Sequence, residues 1–192
     1  MDIDYYDKNA QSFFNETVSV NLEDIYHPFF SHLENGAHIL DAGCGSGRDT
    51  KAFLERGYRV TAFDSSKELV KMAAKHTRQK VVLMNFNEIH ETEIYDGIWC
   101  CASLLHMSAD KLLDSMVLLE RALKKKGVFY ASFKYGSGER YESIRQFTDM
   151  DEPSFNEFAT QLKYLVMIKT WITYDKRPER EEKWLNVLLK KS

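Results

Sequence analysis

The sequence predicts a doubly wound α/β domain with a mostly parallel sheet, N-terminal helices and a terminal hairpin. Three observations carry this expectation. Short, nearly continuous apolar runs alternate with helical stretches from His38 to Phe133, as strands covered on both faces require. A glycine-rich turn, Asp41-Ala42-Gly43-Cys44-Gly45-Ser46-Gly47, joins the first strand to the helix after it. Two β-type runs near the C-terminus, 165–174 and 184–189, flank a charged segment.

Composition narrows the class further. The 192 residues are 44% hydrophobic and 29% charged, which suits a globular chain able to bury about 70% of its unfolded surface around one core. Basic and acidic residues number 26 and 29, a net charge of -3, so the broad positive footprint of a nucleic-acid or anionic-membrane binder is missing. Cys44, Cys100 and Cys101 cannot all pair with one another, and two are adjacent in an apolar run; a reducing cytoplasm suits them. Met1-Asp2-Ile3-Asp4 is acidic where a secretory signal is basic. No apolar stretch reaches the roughly 18 residues of a membrane span. With 3 prolines, 9 glycines and no linker or repeat, one domain is expected: an N-terminal helical cap (1–35), a core (36–133), and a loop, helix and hairpin (134–192).

The elements follow in order. Segments 5–14 and 22–33 are predicted helices, the second with Ile25, Phe29 and Leu33 on one face and Pro28 as a weak point. After the first strand and the glycine turn, a helix runs to Arg56 and stops at Gly57. The second strand is 59–64, and Ser65 with Glu68 forms a capping box for the helix that follows. The third and fourth strands are 81–86 and 98–102. Ser108 is the expected cap of a helix that ends in Lys124-Lys125-Lys126 before Gly127. Those lysines answer the helix dipole or contact nucleic acid. The fifth strand is 128–133, Pro153 marks a further helix start, and the charged run 175–183 reads as the solvated turn of the hairpin.

The glycine turn carries the chemistry. Its glycines let the backbone turn tightly and approach a ligand. They recur every second residue, and Arg48 stands where a dinucleotide G-x-G-x-x-G motif has its last glycine. Asp41, two residues before the first glycine, repels a diphosphate and attracts an amine or sulfonium. Asp64, at the tip of the neighbouring strand, is placed to accept hydrogen bonds from vicinal ribose hydroxyls, or else to help cap the next helix.

The turn, Asp64 and the run Asp96-Gly97-Ile98-Trp99-Cys100-Cys101-Ala102 resemble motifs of class I S-adenosylmethionine-dependent methyltransferases, over about residues 36–133. Leu104-Leu105-His106-Met107, Ser132-Phe133-Lys134-Tyr135-Gly136 and Phe147-Thr148-Asp149 are similar, more loosely, to small bacterial methyltransferases related to tellurite-resistance proteins. The resemblance implies a Rossmann-like sheet of seven strands in the order 3-2-1-4-5-7-6, its last strand antiparallel. It implies S-adenosyl-L-methionine as cofactor and a small-molecule methyl acceptor. By position, Gly43, Cys44, Gly45 and Gly47 would shape the methionine pocket, with Asp41 near the amino group. Asp64 would hold the ribose, Ser65 would border the adenine, and Cys101, Ala102 and Ser103 would pass beside the sulfonium. Asn85 stands where many relatives have Asp, a neutral substitute that still accepts from the adenine amino group. Phe86 would flank the adenine or belong to the core.

A sulfonium methyl is already activated, so the protein must chiefly align a nucleophile and exclude water. His106, just past the fourth strand, fits a general base, a substrate-orienting group or a packed core histidine. Lys134, Tyr135 and Arg140, with Arg48, could receive an anionic acceptor or could be solvated loop charges. Tyr5, Tyr6 and Phe13 would form a lid over the cofactor or an apolar anchor for their helix.

The six histidines contain no H-x-x-x-H pair and no C-x-x-C occurs, so no metal site is expected. Hydrolase-elbow and P-loop motifs are also missing. Ala102-Ser103-Leu104-Leu105 lacks the Asn/Asp-Pro-Pro-Tyr/Phe signature of base-amino methyltransferases, so no nucleic-acid partner is expected. Three rivals remain at this level: a non-catalytic cofactor-binding regulator, a nucleic-acid methyltransferase and a NAD oxidoreductase.

Overall fold

The computed structural model describes residues 3–192; the first two residues of the expected N-terminal cap lie outside them. Three short helices, α1 (Ile3–Lys8), α2 (Ala10–Thr17) and α3 (Glu23–Phe30), precede β1 (His38–Ala42). The alternation then runs α4 (Arg48–Glu55), β2 (Arg59–Asp64), α5 (Lys67–Thr77), β3 (Val82–Leu83), β4 (Tyr95–Cys100), α6 (Ala109–Ala122) and β5 (Leu123–Lys134). A hairpin of β6 (Gly138–Glu142) and β7 (Arg145–Asp149), helix α7 (Glu152–Ala159), and strands β8 (Leu165–Tyr174) and β9 (Lys183–Lys191) complete the chain.

The main sheet has seven strands in the order β3-β2-β1-β4-β5-β9-β8. Strands β1 to β5 pair in parallel and β9 is antiparallel to both neighbours, so with the small hairpin set aside the order is the expected one. Alternate residues of each strand enter opposite layers. Ile98 and Cys100 join Leu112, Met116 and Phe129 on one side, while Trp99 and Tyr130 join Ile25, Phe29 and Phe53 on the other. That two-sided burial is why β4 and β5 read as continuous apolar runs. No helix among the described residues is long and apolar enough to cross a membrane.

Several local expectations are corrected. The first predicted helix is two, broken at Asn9 (φ -109°, ψ 13°), while the second continues through Pro28 and ends at Phe30. Ser66, not Ser65, caps α5: its hydroxyl accepts from the Leu69 N–H at 3.2 Å and donates to Asp7 at 2.6 Å. The third strand shrinks to two paired residues because Asn85 opens a 3-10 turn over Phe86–Glu88, its N–H held by Glu88 at 2.7 Å. The fourth strand starts earlier and ends before Cys101 and Ala102. Lys124, Lys125 and Lys126 do not close α6; they lie in the irregular start of β5. The last carbonyls of α6, those of Arg121 and Ala122, are instead taken by the N–H groups of Glu93 and Ile94, both at 2.9 Å, and Lys124 pairs with Asp96 at 2.8 Å. Ser108 holds the cap position of α6 without a side-chain bond; Glu139 accepts from the Ala109 N–H at 2.6 Å.

The loop expected after the fifth strand contains the β6–β7 hairpin. The turn between β8 and β9 is largely exposed, as its charge suggests, and surface ion pairs tie it to the N-terminal helices, Lys176–Asp24 at 2.7 Å and Arg180–Glu16 at 3.1 Å.

Candidate active site

A cavity of about 290 Å³ opens at the C-terminal ends of the parallel strands, between the N-terminal helices, the glycine turn and the segments after β4 and β5. Doubly wound sheets bind ligands at this position, where the strand order reverses. The turn is fixed from below. The N–H groups of Gly43 and Cys44 both donate to the Phe63 carbonyl, at 3.0 and 2.9 Å, and the Gly45 N–H donates to Asp64 at 2.9 Å. Gly43 has φ +78°, and a Cβ there would fall 2.6 Å from Ser103 Cβ. At Gly45 the missing Cβ makes room for Phe13, 3.0 Å from where it would lie. The bare backbone thus serves protein side chains as well as a ligand.

Asp64 ends β2 on the cavity wall and is buried. One oxygen holds Gly45 and the other accepts from the Ser66 N–H at 2.9 Å. Burial raises its pKa above the ordinary carboxylate value, opposed by those backbone donors. The Ser65 N–H also bonds this carboxylate; a carboxylate offers about four acceptor sites, so about one is left after the loop is secured. Cys44, Ser65, Phe86, Cys101, Ala102 and Ser103 share the wall. Phe86 is both core and wall, edge-on to Phe63 at 5.1 Å. Asn85 is not on the wall; it is spent on the 3-10 turn. Gly47 also lies off the cavity, packed on Thr77 and Ala73 of α5.

The acidic residue before the glycines behaves differently from expectation. Asp41 is 2% exposed, lies behind the wall and accepts from Thr50 Oγ1 at 2.5 Å. Burial, and then the charge of Asp49, pushes it up to about 8, so it holds its proton at neutral pH. Asp49, which sequence reasoning passed over, is the ionised partner. Burial opposes its charge, yet Arg48 keeps its pKa below the ordinary value. Arg48 grips it through two bonds of 2.6 and 2.9 Å, Tyr26 donates at 2.6 Å, and Trp99 Nε1 donates at 2.8 Å. Arg48 is therefore on the wall but already paired, with Cys101 Sγ 3.6 Å away.

On the other side, His106 is buried with Nδ1 at 3.2 Å from the Gln146 carbonyl and Nε2 at 2.6 Å from the Tyr6 hydroxyl. A carbonyl only accepts, so Nδ1 carries the proton and Nε2 accepts from the phenol. Burial pushes Tyr6 up to about 12, although Arg145 opposes the shift. Tyr5, Tyr6 and Phe13, the expected lid or anchor, all line the cavity, with Tyr6 edge-on to the other two at 5.4 and 5.3 Å.

Lys134 reaches the wall; Tyr135 and Arg140 do not. Tyr135 donates to Glu152 at 2.9 Å and Arg140 is held by Asp149 at 2.5 Å. The cation beside Lys134 is instead Arg145, on β7. Trp184, Asn186 and Arg177 also contribute from the terminal hairpin. No motif announced these residues. Their convergence comes from the antiparallel return of β9 and the β6–β7 pairing, both long-range events.

Known proteins resemble the chain in sequence and in shape. The family described as "Methyltransferase domain" matches residues 39–127. A malonyl-(acyl-carrier protein) O-methyltransferase of Salmonella typhimurium is 33% identical over 94 residues, 48% of this chain and 37% of that protein. A ubiquinone biosynthesis O-methyltransferase of Xanthomonas campestris is 32% identical over 79 residues, 38% of this chain and 33% of that protein. The chain thus spans well under half the length of these curated relatives. Among solved structures, the 1,6-didemethyltoxoflavin-N1-methyltransferase of Burkholderia thailandensis, with bound 1,6-didemethyltoxoflavin and S-adenosylhomocysteine, superposes with a TM-score of 0.80 at 23% identity, covering 100% of this chain and 86% of that one. A TehB-like methyltransferase of Corynebacterium glutamicum gives 0.74 at 21%, covering 98% and 99%. With the strand order already described, these likenesses show that residues 39–127 match the methyltransferase-domain family and that the chain has the fold of class I S-adenosylmethionine-dependent methyltransferases.

Proposed function

We propose that the protein transfers a methyl group from S-adenosylmethionine to a small-molecule acceptor inside this cavity. The observation that carries the proposal is Asp64: one buried carboxylate ties down the glycine loop through Gly45, keeps an acceptor site, and lies in the same cavity as the Tyr6–His106 pair. A ribose hydroxyl of a nucleoside matches that site. Ser65 and Phe86 then border the adenine, the turn Gly43-Cys44-Gly45 lies along the methionine part, and Cys101 and Ala102 pass beside the sulfur. When bound, the cofactor supplies a methyl group already activated for displacement.

The chain's own residues do the rest. Phe13 and the described part of the N-terminal cap, from Tyr5 to Ile25, cover the glycine turn and exclude water from the core (36–133). His106, with a proton on Nδ1 toward the Gln146 carbonyl, holds Nε2 at the Tyr6 hydroxyl. The pair can take a proton from the acceptor's hydroxyl, thiol or amine as that group attacks. The 134–192 region supplies the remaining acceptor wall. Cys44, Cys100 and Cys101 are unpaired, which suits a cytoplasmic enzyme.

Calorimetry with S-adenosylhomocysteine tests the cofactor, alongside a thermal-shift comparison with NADH. Turnover on a panel of phenols, thiols, small acids and tellurium and selenium oxyanions tests the reaction. Stabilisation by NADH alone would sink the proposal. Cofactor binding without turnover on any acceptor would favour a regulatory protein, and tight, salt-sensitive heparin retention would favour a nucleic-acid substrate.

A further inference from the structure

The charged residues on the cavity wall are not evenly matched. Arg48 faces Asp49, Arg177 faces Asp175 and Arg180 faces Glu16, one cation to one carboxylate each. The patch built by β5, β6 and β7 departs from this pattern. Lys134 lies 3.4 Å and Arg145 3.2 Å from the same carboxylate, Glu142, and Arg140 also reaches it at 3.5 Å while bound to Asp149. Three cations thus meet two carboxylates, and Glu142 is itself half exposed. The remaining carboxylate of the hairpin, Glu139, is turned to the α6 N-terminus and to Gln146.

A second observation concerns the same patch. Arg145 Nε is buried and has no hydrogen-bond partner among the described residues. A buried donor left unpaired costs about 1–3 kcal/mol, which is why such groups point to a missing partner. The guanidinium lies over the rings of Tyr5 and Phe147, at 4.6 and 5.1 Å, and Lys134 Nζ lies 4.5 Å over Phe147. Phe147 in turn packs on His106 at 4.8 Å. The surplus positive charge, the unpaired donor and two aromatic faces therefore converge beside the proposed proton acceptor.

From this geometry we propose that the methyl acceptor is an aromatic or similarly planar acid, whose carboxylate is seated by Arg145 and Lys134 while its nucleophile faces Tyr6 and His106. The inference rests on the methyltransferase function proposed above. Arg145 is the positioning residue: its planar fork matches a carboxylate, and displacing Glu142 outward exposes that fork to the ligand. The aromatic floor of Phe147 and Tyr5 takes the ring.

Binding of benzoate and of its neutral counterpart benzamide to the full chain saturated with S-adenosylhomocysteine tests the seat. Benzoate should bind at least tenfold more tightly than benzamide. Arg145→Gln and Lys134→Gln should each weaken benzoate about tenfold while S-adenosylhomocysteine affinity stays within twofold; two separate variants guard against one failing to fold. Equal binding of the two probes, no benzoate binding, or unchanged affinity in both variants would overturn the seat. So would a parallel loss of S-adenosylhomocysteine affinity in Arg145→Gln, which would assign the arginine to the cofactor's own carboxylate. Failure of the wild-type protein to bind S-adenosylhomocysteine would instead strike the underlying function.

Discussion

Removing the Asp64 carboxylate should separate cofactor binding from folding in a measurable way. Three of its acceptor sites hold backbone N–H groups, those of Gly45 and Ser66 at 2.9 Å each and that of Ser65; the remaining one is assigned to a ribose hydroxyl. A hydrogen bond to a charged group contributes about 1.5–3 kcal/mol. At 1.4 kcal/mol per decade, Asp64→Ala should raise the Kd for S-adenosylhomocysteine roughly 10- to 10²-fold. Part of that loss could come from a loosened glycine loop rather than from the ribose. A double-mutant cycle resolves the two. Calorimetry on wild type and Asp64→Ala is repeated with analogues lacking the 2′- or 3′-hydroxyl, and folding is followed by melting temperature. If the carboxylate meets the ribose, the mutational penalty shrinks against at least one deoxy analogue. The same penalty for all three ligands, or a change of less than threefold in a variant that melts like wild type, would refute the assignment.

Other outcomes follow from the same network of contacts. Asp49→Ala strands the buried Arg48 charge together with the Tyr26 and Trp99 donors, and should cost about 3–5 kcal/mol in urea unfolding; a loss below 1 kcal/mol would mean that solvent reaches the site. Asp41, raised to about 8, binds its proton more tightly folded than unfolded. Its contribution is therefore present below its unfolded pKa and is lost as pH rises through about 8. Asp41→Asn should flatten that decline, gaining up to about 1.4 kcal/mol per pH unit over wild type across this window; parallel stability profiles from pH 4 to 8 would contradict it. Tyr6→Phe and His106→Ala should each lower kcat for an identified acceptor about 10²-fold, the double variant falling no further; fully additive losses would show that the two act separately.

The sequence by itself determined the order of the main sheet and the placing of the glycine turn beside Asp64, because both rest on local signals. Continuous apolar runs mark strands buried on two faces, and the spacing from Gly43 through Asp64 puts a flexible turn and a carboxylate on adjacent strand tips. Tertiary structure decided the charge states and the cavity wall opposite the glycine turn. Asp41 and Asp49 are indistinguishable as letters, yet burial and the Asp49 charge protonate one, while the direct grip of Arg48 ionises the other. Arg140 and Arg145 lie five positions apart on paired strands; the first is held by Asp149 and the second faces the cavity. Pairing register, desolvation and the return of β9 beside β5 are properties of residues distant in the chain, and no local pattern records them.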